Sequence, residues 1–232
     1  MIGMKSFDLS LYLVLDPDLC GGPQGMVETA RVAAQHGASM VQLRAPKWKK
    51  RQWLETAAAL KMVLDPFGVP LIINDHIDVA LAVDAAGVHV GQSDLPVTVV
   101  RRLIGPRKLL GLSVSNAVQL ADVPHEWVDY LGIGPVYPTG TKLDAAAVIG
   151  LPLFGELVKV APLPVVAIGG IHAGNCAPLF AAGTHGVAVV SAICGQNDLA
   201  LATKNILDEI RRMRVSGLMN PDYPDFCAGW IG

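Results

Sequence analysis

Cysteine is scarce and scattered in this 232-residue chain. Cys20, Cys176, Cys194 and Cys227 form no C-x-x-C pair, which argues against a zinc site or a dithiol redox couple and suits a reducing compartment, with the thiols as structural filler. Long apolar runs are lacking as well. No stretch of eighteen apolar residues occurs, and the N-terminus has no basic segment leading into an apolar one with a small-residue cleavage site, so a cytoplasmic protein with no membrane partner is expected. Neither sign of charge dominates: 18 Lys and Arg against 20 Asp and Glu leave a formal net charge of −2, which excludes a global field for nucleic acid or anionic lipid. Any anionic substrate must therefore be held locally. No Ser/Pro/Gly-rich linker or charge run divides the chain, so one domain is expected.

What is present is an apolar core supply of 52% hydrophobic residues, arranged in eight short runs. The runs are 11–15, 40–43, 71–73, 87–90, 109–112, 130–133, 165–168 and 186–190, several rich in Val and Ile, as parallel strands buried on both faces should be. Residues 26–36, 50–64, 97–104, 151–160, 176–182 and 198–213 read as helices between them, with 77–83 and 117–121 as shorter candidates. Gly37, Gly105 and Gly183 follow three of these as stop signals. This βα alternation predicts an α/β protein, a single (β/α)8 TIM barrel over 1–213 with an irregular C-terminal extension over 214–232. The extension carries Tyr223, Phe226 and Trp230 among prolines, a composition that predicts a packed segment, against a subunit contact or the barrel helices.

In such a barrel the residues just after each strand line the C-terminal rim, where active sites lie. Here these are Asp16, Arg44, Asn74 and Asp75, Gln92 and Asp94, Ser113, a loop with Thr139, Thr141 and Lys142, Gly169 and Gly170, and Ser191 after Val190. Asp75 and Asp94 follow adjacent strands, and two carboxylates with room for water and phosphate oxygens suit Mg²⁺. The plainer alternatives are a helix cap for Asp75 and a turn residue for Asp94. Two hydroxyls and an ammonium in the 134–144 loop can close over phosphate oxygens, unless the loop is merely solvated. Gly170 and Ser191, in the seventh and eighth βα loops, sit where barrels bind monophosphates through backbone N–H groups. Gln42 and Arg44 share a strand face, and an interior Arg needs an anion or a structural carboxylate. His76, His89, His172 and His185 show no metal-cluster spacing and read as surface or satisfied core residues.

Several phrases together resemble the thiamine phosphate synthase family over residues 11–213. They are Val41-Gln42-Leu43-Arg44, Ile73-Asn74-Asp75, Gly87-Val88-His89-Val90-Gly91-Gln92-Ser93-Asp94, Gly111-Leu112-Ser113-Val114, the 134–144 loop, Val166-Ala167-Ile168-Gly169-Gly170-Ile171 and Val187-Ala188-Val189-Val190-Ser191-Ala192-Ile193. The resemblance implies a transferase that joins hydroxymethylpyrimidine pyrophosphate to thiazole phosphate, with the C–O bond to pyrophosphate breaking before the thiazole nitrogen attacks. It further implies Mg²⁺ on Asp75 and Asp94, and pyrophosphate on Arg44, Asn74 and Lys142. Ser113 would lie near the reacting centre and Gln42 against the pyrimidine, with Thr139, Thr141, Gly170 and the backbone at Val190 and Ser191 around the thiazole phosphate. Lys142, Ser113 and Arg44 are the expected catalytic groups.

One departure bears on the pyrophosphate grip. Where the family usually has lysine two residues after the strand arginine, this chain has Pro46, followed by Lys47. Either Lys47 swings in or the grip is weaker. His76 and His172 likewise stand where the family commonly has arginine and asparagine. Two other readings stay open: a thiazole tautomerase, which would need no pyrophosphate site, and a non-catalytic thiazole or thiamine phosphate sensor. Assembly into a homo-oligomer is left open too.

Overall fold

The computed structural model describes residues 7–140 and 147–215. Eight parallel strands, β1 Leu11–Leu15, β2 Met40–Leu43, β3 Leu71–Asn74, β4 Gly87–Val90, β5 Leu109–Val114, β6 Tyr130–Ile133, β7 Val165–Ile168 and β8 Gly186–Val189, close into a barrel in sequence order. The helices are α1 Pro17–Cys20, α2 Pro23–Gln35, α3 Lys50–Leu64, α4 Ile77–Ala82, α5 Val97–Ile104, α6 Ala117–Ala121, α7 Gly150–Val160, α8 Ala177–Ala181 and α9 Leu199–Val215. Five strands keep their expected bounds. β3 and β5 run on to include Asn74 and Ser113, while β8 stops before Val190.

The two-residue period of the strands divides the apolar residues into two cores. Outward phases such as Leu11, Leu13 and Leu15 of β1 pack beneath the helices with Met26, Trp53, Leu60, Phe154 and Phe180. Inward phases, Tyr12 and Val14, Met40, Ile72, Leu109, Tyr130, Val166 and Ala188, fill the barrel itself. The barrel is thus a packed core and not a pore. Helix ends follow local chemistry. α2 begins at Pro23, three residues before the apolar period, because proline is pre-organised for the first helical turn, and Gly37 takes the positive φ of 104° that a sharp exit into β2 requires.

The last helix runs to Val215, two residues past the expected edge of the barrel. The expected packing of the extension concerns residues that lie outside the described ones from 216 on. Among the described residues no helix is long and apolar enough to cross a membrane.

Candidate active site

Because strands run parallel, the inward phase of β2 through β5 delivers Gln42, Arg44, Asn74, His89 and Ser113 upward, to the C-terminal mouth. There they line a cavity of about 450 Å³. Asp75 and Asp94 face it from the third and fourth βα loops. Thr139, Gly170, Val190 and Ser191 face it from the sixth, seventh and eighth. Every expected site residue in the described part of the chain therefore meets in one place. Thr141 and Lys142 lie outside the described residues.

Asp75 does not cap a helix. α4 starts after His76 with no side-chain cap, whereas Asp75 holds a left-handed backbone at φ 58° and its Oδ2 accepts from Asn74 Nδ2 at 2.5 Å. A non-glycine residue in that region is strained, and such strain clusters where a side chain must be aimed. Asp94 is fixed more simply, its Oδ2 accepting from Gly91 N at 2.8 Å across a tight turn. Two oriented carboxylates at one mouth fit a hard divalent cation that keeps water and phosphate as its other ligands. Among the described residues no cluster of three or more His, Cys, Asp or Glu side chains could hold a metal.

On the opposite wall the sixth and seventh loops are stitched together. Val136 N donates to Ile168 O at 2.9 Å and Tyr137 N to Gly169 O at 3.1 Å. Gly170, at φ 64°, lies so close to this loop that a Cβ there would meet Pro138 O at 2.5 Å. Only glycine lets the two backbones pass. Asn175 Nδ2 holds Gly170 O at 3.0 Å, and a tight turn after β8 directs Ile193 N and Cys194 N onto Val190 O at 3.0 and 2.8 Å. The N–H groups of Ser191 and Ala192 precede the first bonds of that turn, the position from which a helix-like turn binds anions.

The N-terminus of α8 is different. Glu209 of α9, buried to 8% exposure, accepts from Gly174 N at 2.5 Å, Cys176 N at 2.9 Å and Ala177 N at 3.1 Å. This carboxylate takes the amides that the start of the helix after β7 would otherwise offer to an anion. Lys47 is also elsewhere: its Nζ pairs with Asp18 Oδ2 at 3.3 Å, both side chains more than three-quarters exposed. Pro46, not Lys47, lines the cavity. His76 is half-buried, edge-on to Trp53 with ring centroids 4.4 Å apart, and its Nδ1 is 2.7 Å from Lys50 Nζ. Burial and then the Lys50 ammonium hold its pKa down. His185 is a satisfied core residue, its Nδ1 accepting from Val165 N at 3.0 Å.

His89 is, as expected, a satisfied core residue, buried with a partner on each ring nitrogen. Its Nε2 is 2.9 Å from Ser113 Oγ and its Nδ1 3.1 Å from Tyr130 Oη. Tyr130 Oη is 3.0 Å from Tyr12 Oη, which accepts from Gln42 Nε2 at 2.6 Å. Burial pushes both phenols well above their ordinary pKa, so both keep their protons. Gly111 and Gly132 leave the space for this chain: a Cβ on Gly111 would overlap the Tyr130 ring and His89 Nδ1, and one on Gly132 would come within 3.2 Å of His89 Cε1.

The profile of a family described as thiamine monophosphate synthase matches residues 11–193. The chain belongs to this family. A thiamine-phosphate synthase of Laribacter hongkongensis is 56% identical over 202 residues, covering 87% of this chain and 95% of that protein. One of Xanthobacter autotrophicus is 48% identical over 194 residues, 84% and 92% of the two chains. The solved thiamine phosphate pyrophosphorylase of Pyrococcus furiosus superposes with a TM-score of 0.79 at 33% identity, covering 88% of this chain and 96% of that one. The barrel is accordingly a transferase of the thiamine-phosphate synthase class.

Proposed function

We propose that the rim cavity joins hydroxymethylpyrimidine pyrophosphate to thiazole phosphate, giving thiamine phosphate and pyrophosphate. The observation that carries this reading is the pairing of two anion-binding walls in one cavity: Arg44, Asn74, Asp75 and Asp94 on one side, Gly170 and Ser191 on the other. A substrate with two phosphates and one with a single phosphate can then approach each other over Gln42 and Ser113.

In this reading Arg44, Asn74 and Lys142 bind the pyrophosphate. Asp75 and Asp94 would hold Mg²⁺, which when bound neutralises charge on the leaving group. The C–O bond breaks with its electron pair going to pyrophosphate. The thiazole nitrogen lone pair then forms the C–N bond, and no proton need move. Catalysis is chiefly electrostatic, through groups fixed in advance against charge that develops as the bond breaks. Thr139, Thr141, Gly170 and the backbone at Val190 and Ser191 hold the thiazole phosphate, while a cytoplasmic location suits the small-molecule substrates.

The test is incubation of the pure protein with both substrates and Mg²⁺, following pyrophosphate and thiamine phosphate by chromatography. Equal amounts of the two products are expected. Isomerised thiazole alone would mark a tautomerase, and binding without turnover a sensor.

A further inference from the structure

The fold brings together two thiols that lie far apart in the sequence, Cys20 at the end of α1 and Cys194 in the turn after β8. β1 and β8 are neighbours in the closed barrel, so the loops that follow them meet at the C-terminal mouth. The Cys20 and Cys194 side chains are hydrogen-bonded to each other, and Cys194 Sγ also lies 3.7 Å from Val14 O. We propose that Cys20 and Cys194 form a modification site, which closes to a reversible disulfide when the protein meets a peroxide and thereby loosens the loop that holds the thiazole phosphate. The disulfide follows from the thiol pair alone, whereas its effect on the phosphate rests on the reading of the eighth loop above.

The two thiols suit different halves of the chemistry. Cys20 is half-buried, within reach of a small solute, and Cys194 is buried. The hydrogen bond with Cys194 holds the Cys20 thiol below its ordinary range against the opposing effect of burial, with the Thr29 side chain adding to it, while the same bond and burial push Cys194 up. Cys20 is therefore the nucleophile. Its sulfur attacks one oxygen of hydrogen peroxide, so that an S–O bond forms and the O–O bond breaks, its electron pair leaving on hydroxide, which takes up the thiol proton as water. The Cys194 sulfur then attacks the sulfenic sulfur of Cys20: the S–S bond forms, the S–O bond breaks, and the departing hydroxide leaves with the Cys194 proton as a second water. Two thiols are oxidised to one disulfide, and one peroxide is reduced to two waters. Cys176 shows the contrast: its Sγ is held on His172 O at 3.4 Å, and burial, followed by Glu209, pushes its thiol up to about 12.

The consequence for the site follows from how little slack separates the two loops. The sulfurs of a disulfide sit about 2 Å apart, well inside the reach of a thiol hydrogen bond, so the turns that carry them must close up. The backbones are already in contact, since a Cβ on Gly195 would come within 3.2 Å of Leu19 O. On the α1 side Cys20 N is held on Asp16 O at 3.0 Å. On the β8 side Cys194 N and Ile193 N both bond Val190 O, so a displaced Cys194 drags Val190 and Ser191, which line the cavity. The Ser191 and Ala192 N–H groups then lose their aim, and the phosphate its grip.

The experiment treats the reduced full chain with hydrogen peroxide, caps the remaining thiols by alkylation and maps the digested peptides by mass. A Cys20–Cys194 linked peptide is expected as the main product, reversed by dithiothreitol, with Cys176 still alkylated. In Cys194→Ala the sulfenic acid of Cys20 should persist and be trapped by dimedone, and in Cys20→Ser no linked peptide should form. In calorimetric titration with thiazole phosphate, oxidation should lower the affinity by about tenfold, an ordinary size for coupling between two sites, and reduction should restore it. Peroxide-treated Cys20→Ser should bind as the reduced wild type does, which separates the disulfide from oxidation of methionine. Cys20 left reduced, or joined to Cys227 in place of Cys194, overturns the modification site. A linked peptide with unchanged affinity overturns its effect on the phosphate loop. If the reduced wild type binds no thiazole phosphate, the phosphate reading of the eighth loop falls and the coupling with it, while the linked peptide still decides the disulfide.

Discussion

The two ends of the barrel use the same kinds of side chain to opposite effect. At the N-terminal end Arg101 is buried to 9% exposure and spends its guanidinium on the protein: Trp127 O at 3.0 Å, Gly105 O at 3.0 Å, Lys108 O at 2.6 Å and Asp129 Oδ2 at 2.7 Å. Asp129 also accepts from Leu110 N at 2.8 Å, so the ion pair ties the turns entering β5 and β6. Lys108 in turn bonds Asp84 Oδ1 at 2.5 Å and Ala85 O at 2.7 Å. At the C-terminal end Arg44, Asp75 and Asp94 converge on a cavity. A groove at the N-terminal end also carries basic residues, Arg107 and Lys108. Charge therefore does not by itself locate the chemistry. What does is the direction of the strands, which brings the polar residues following them to one mouth.

This comparison is broken most directly by Asp94→Asn, Arg44→Ala and Lys142→Ala. Each should lower turnover by a factor on the order of a hundred or more, because one preorganised electrostatic contact is worth about 3 to 4 kcal/mol in the transition state. The melting temperature should hold. Near-normal turnover in all three would detach the C-terminal mouth from the reaction.

The converse change is Arg101→Met, which should cost about 3 to 5 kcal/mol of stability by removing the guanidinium from a largely buried pair with Asp129 and from its bonds to three carbonyls. Denaturant unfolding reads that loss. Turnover per folded molecule should stay within about twofold of normal, as the N-terminal end carries stability and not chemistry. A large fall in turnover by folded Arg101→Met would erase the distinction between the two ends.

Glu209 sharpens the comparison, because it is an anion serving structure near the catalytic end. Glu209→Gln replaces charge-assisted hydrogen bonds to Gly174, Cys176 and Ala177 with neutral ones and should cost about 1 to 2 kcal/mol in thermal unfolding. Thiazole phosphate affinity should change little, since the phosphate is expected at Gly170 and Ser191. A loss of affinity larger than the loss of stability would return the α8 N-terminus to the substrate site.

The smallest effect is expected at Lys47. Its exposed pair with Asp18 contributes at most about 1 kcal/mol, so Lys47→Ala should weaken pyrimidine pyrophosphate binding by less than about fivefold, far below Arg44→Ala. Equal losses in calorimetric titration would mean that Lys47 leaves Asp18 for the pyrophosphate.

Much of this was legible in the chain because a parallel barrel writes itself locally. Runs such as Tyr130–Ile133 end at their true edges, and a polar residue after a buried strand has nowhere to go but the rim. Asn74 and Ser113 were placed correctly at the mouth even though their strands run one or more residues longer than the apolar runs. The short helix α1 was missed because four residues carry no apolar period, only the Asp16 cap and Pro17. Long-range partners were not legible at all: Glu209 meets its amides across more than thirty residues, and Tyr12 meets Tyr130 across 118. The hydrogen-bonded line from Gln42 to Ser113 did leave a faint trace. Tyr12, Gln42, His89, Ser113 and Tyr130 all fall on inward phases, with Gly111 and Gly132 beside them where branched residues would fill a barrel. Reading it required the register between strands, which only the closed sheet supplies.

The central claim is that the C-terminal cavity and not the N-terminal groove takes the pyrophosphate. Backbone NMR of the full chain titrated with inorganic pyrophosphate and Mg²⁺ tests this directly, residue by residue. Shifts should concentrate at Arg44, Asn74, Asp75 and Asp94, fade in Asp94→Asn, and spare Arg107 and Lys108. Shifts centred on Arg107 and Lys108, with the C-terminal mouth unmoved, would contradict the account.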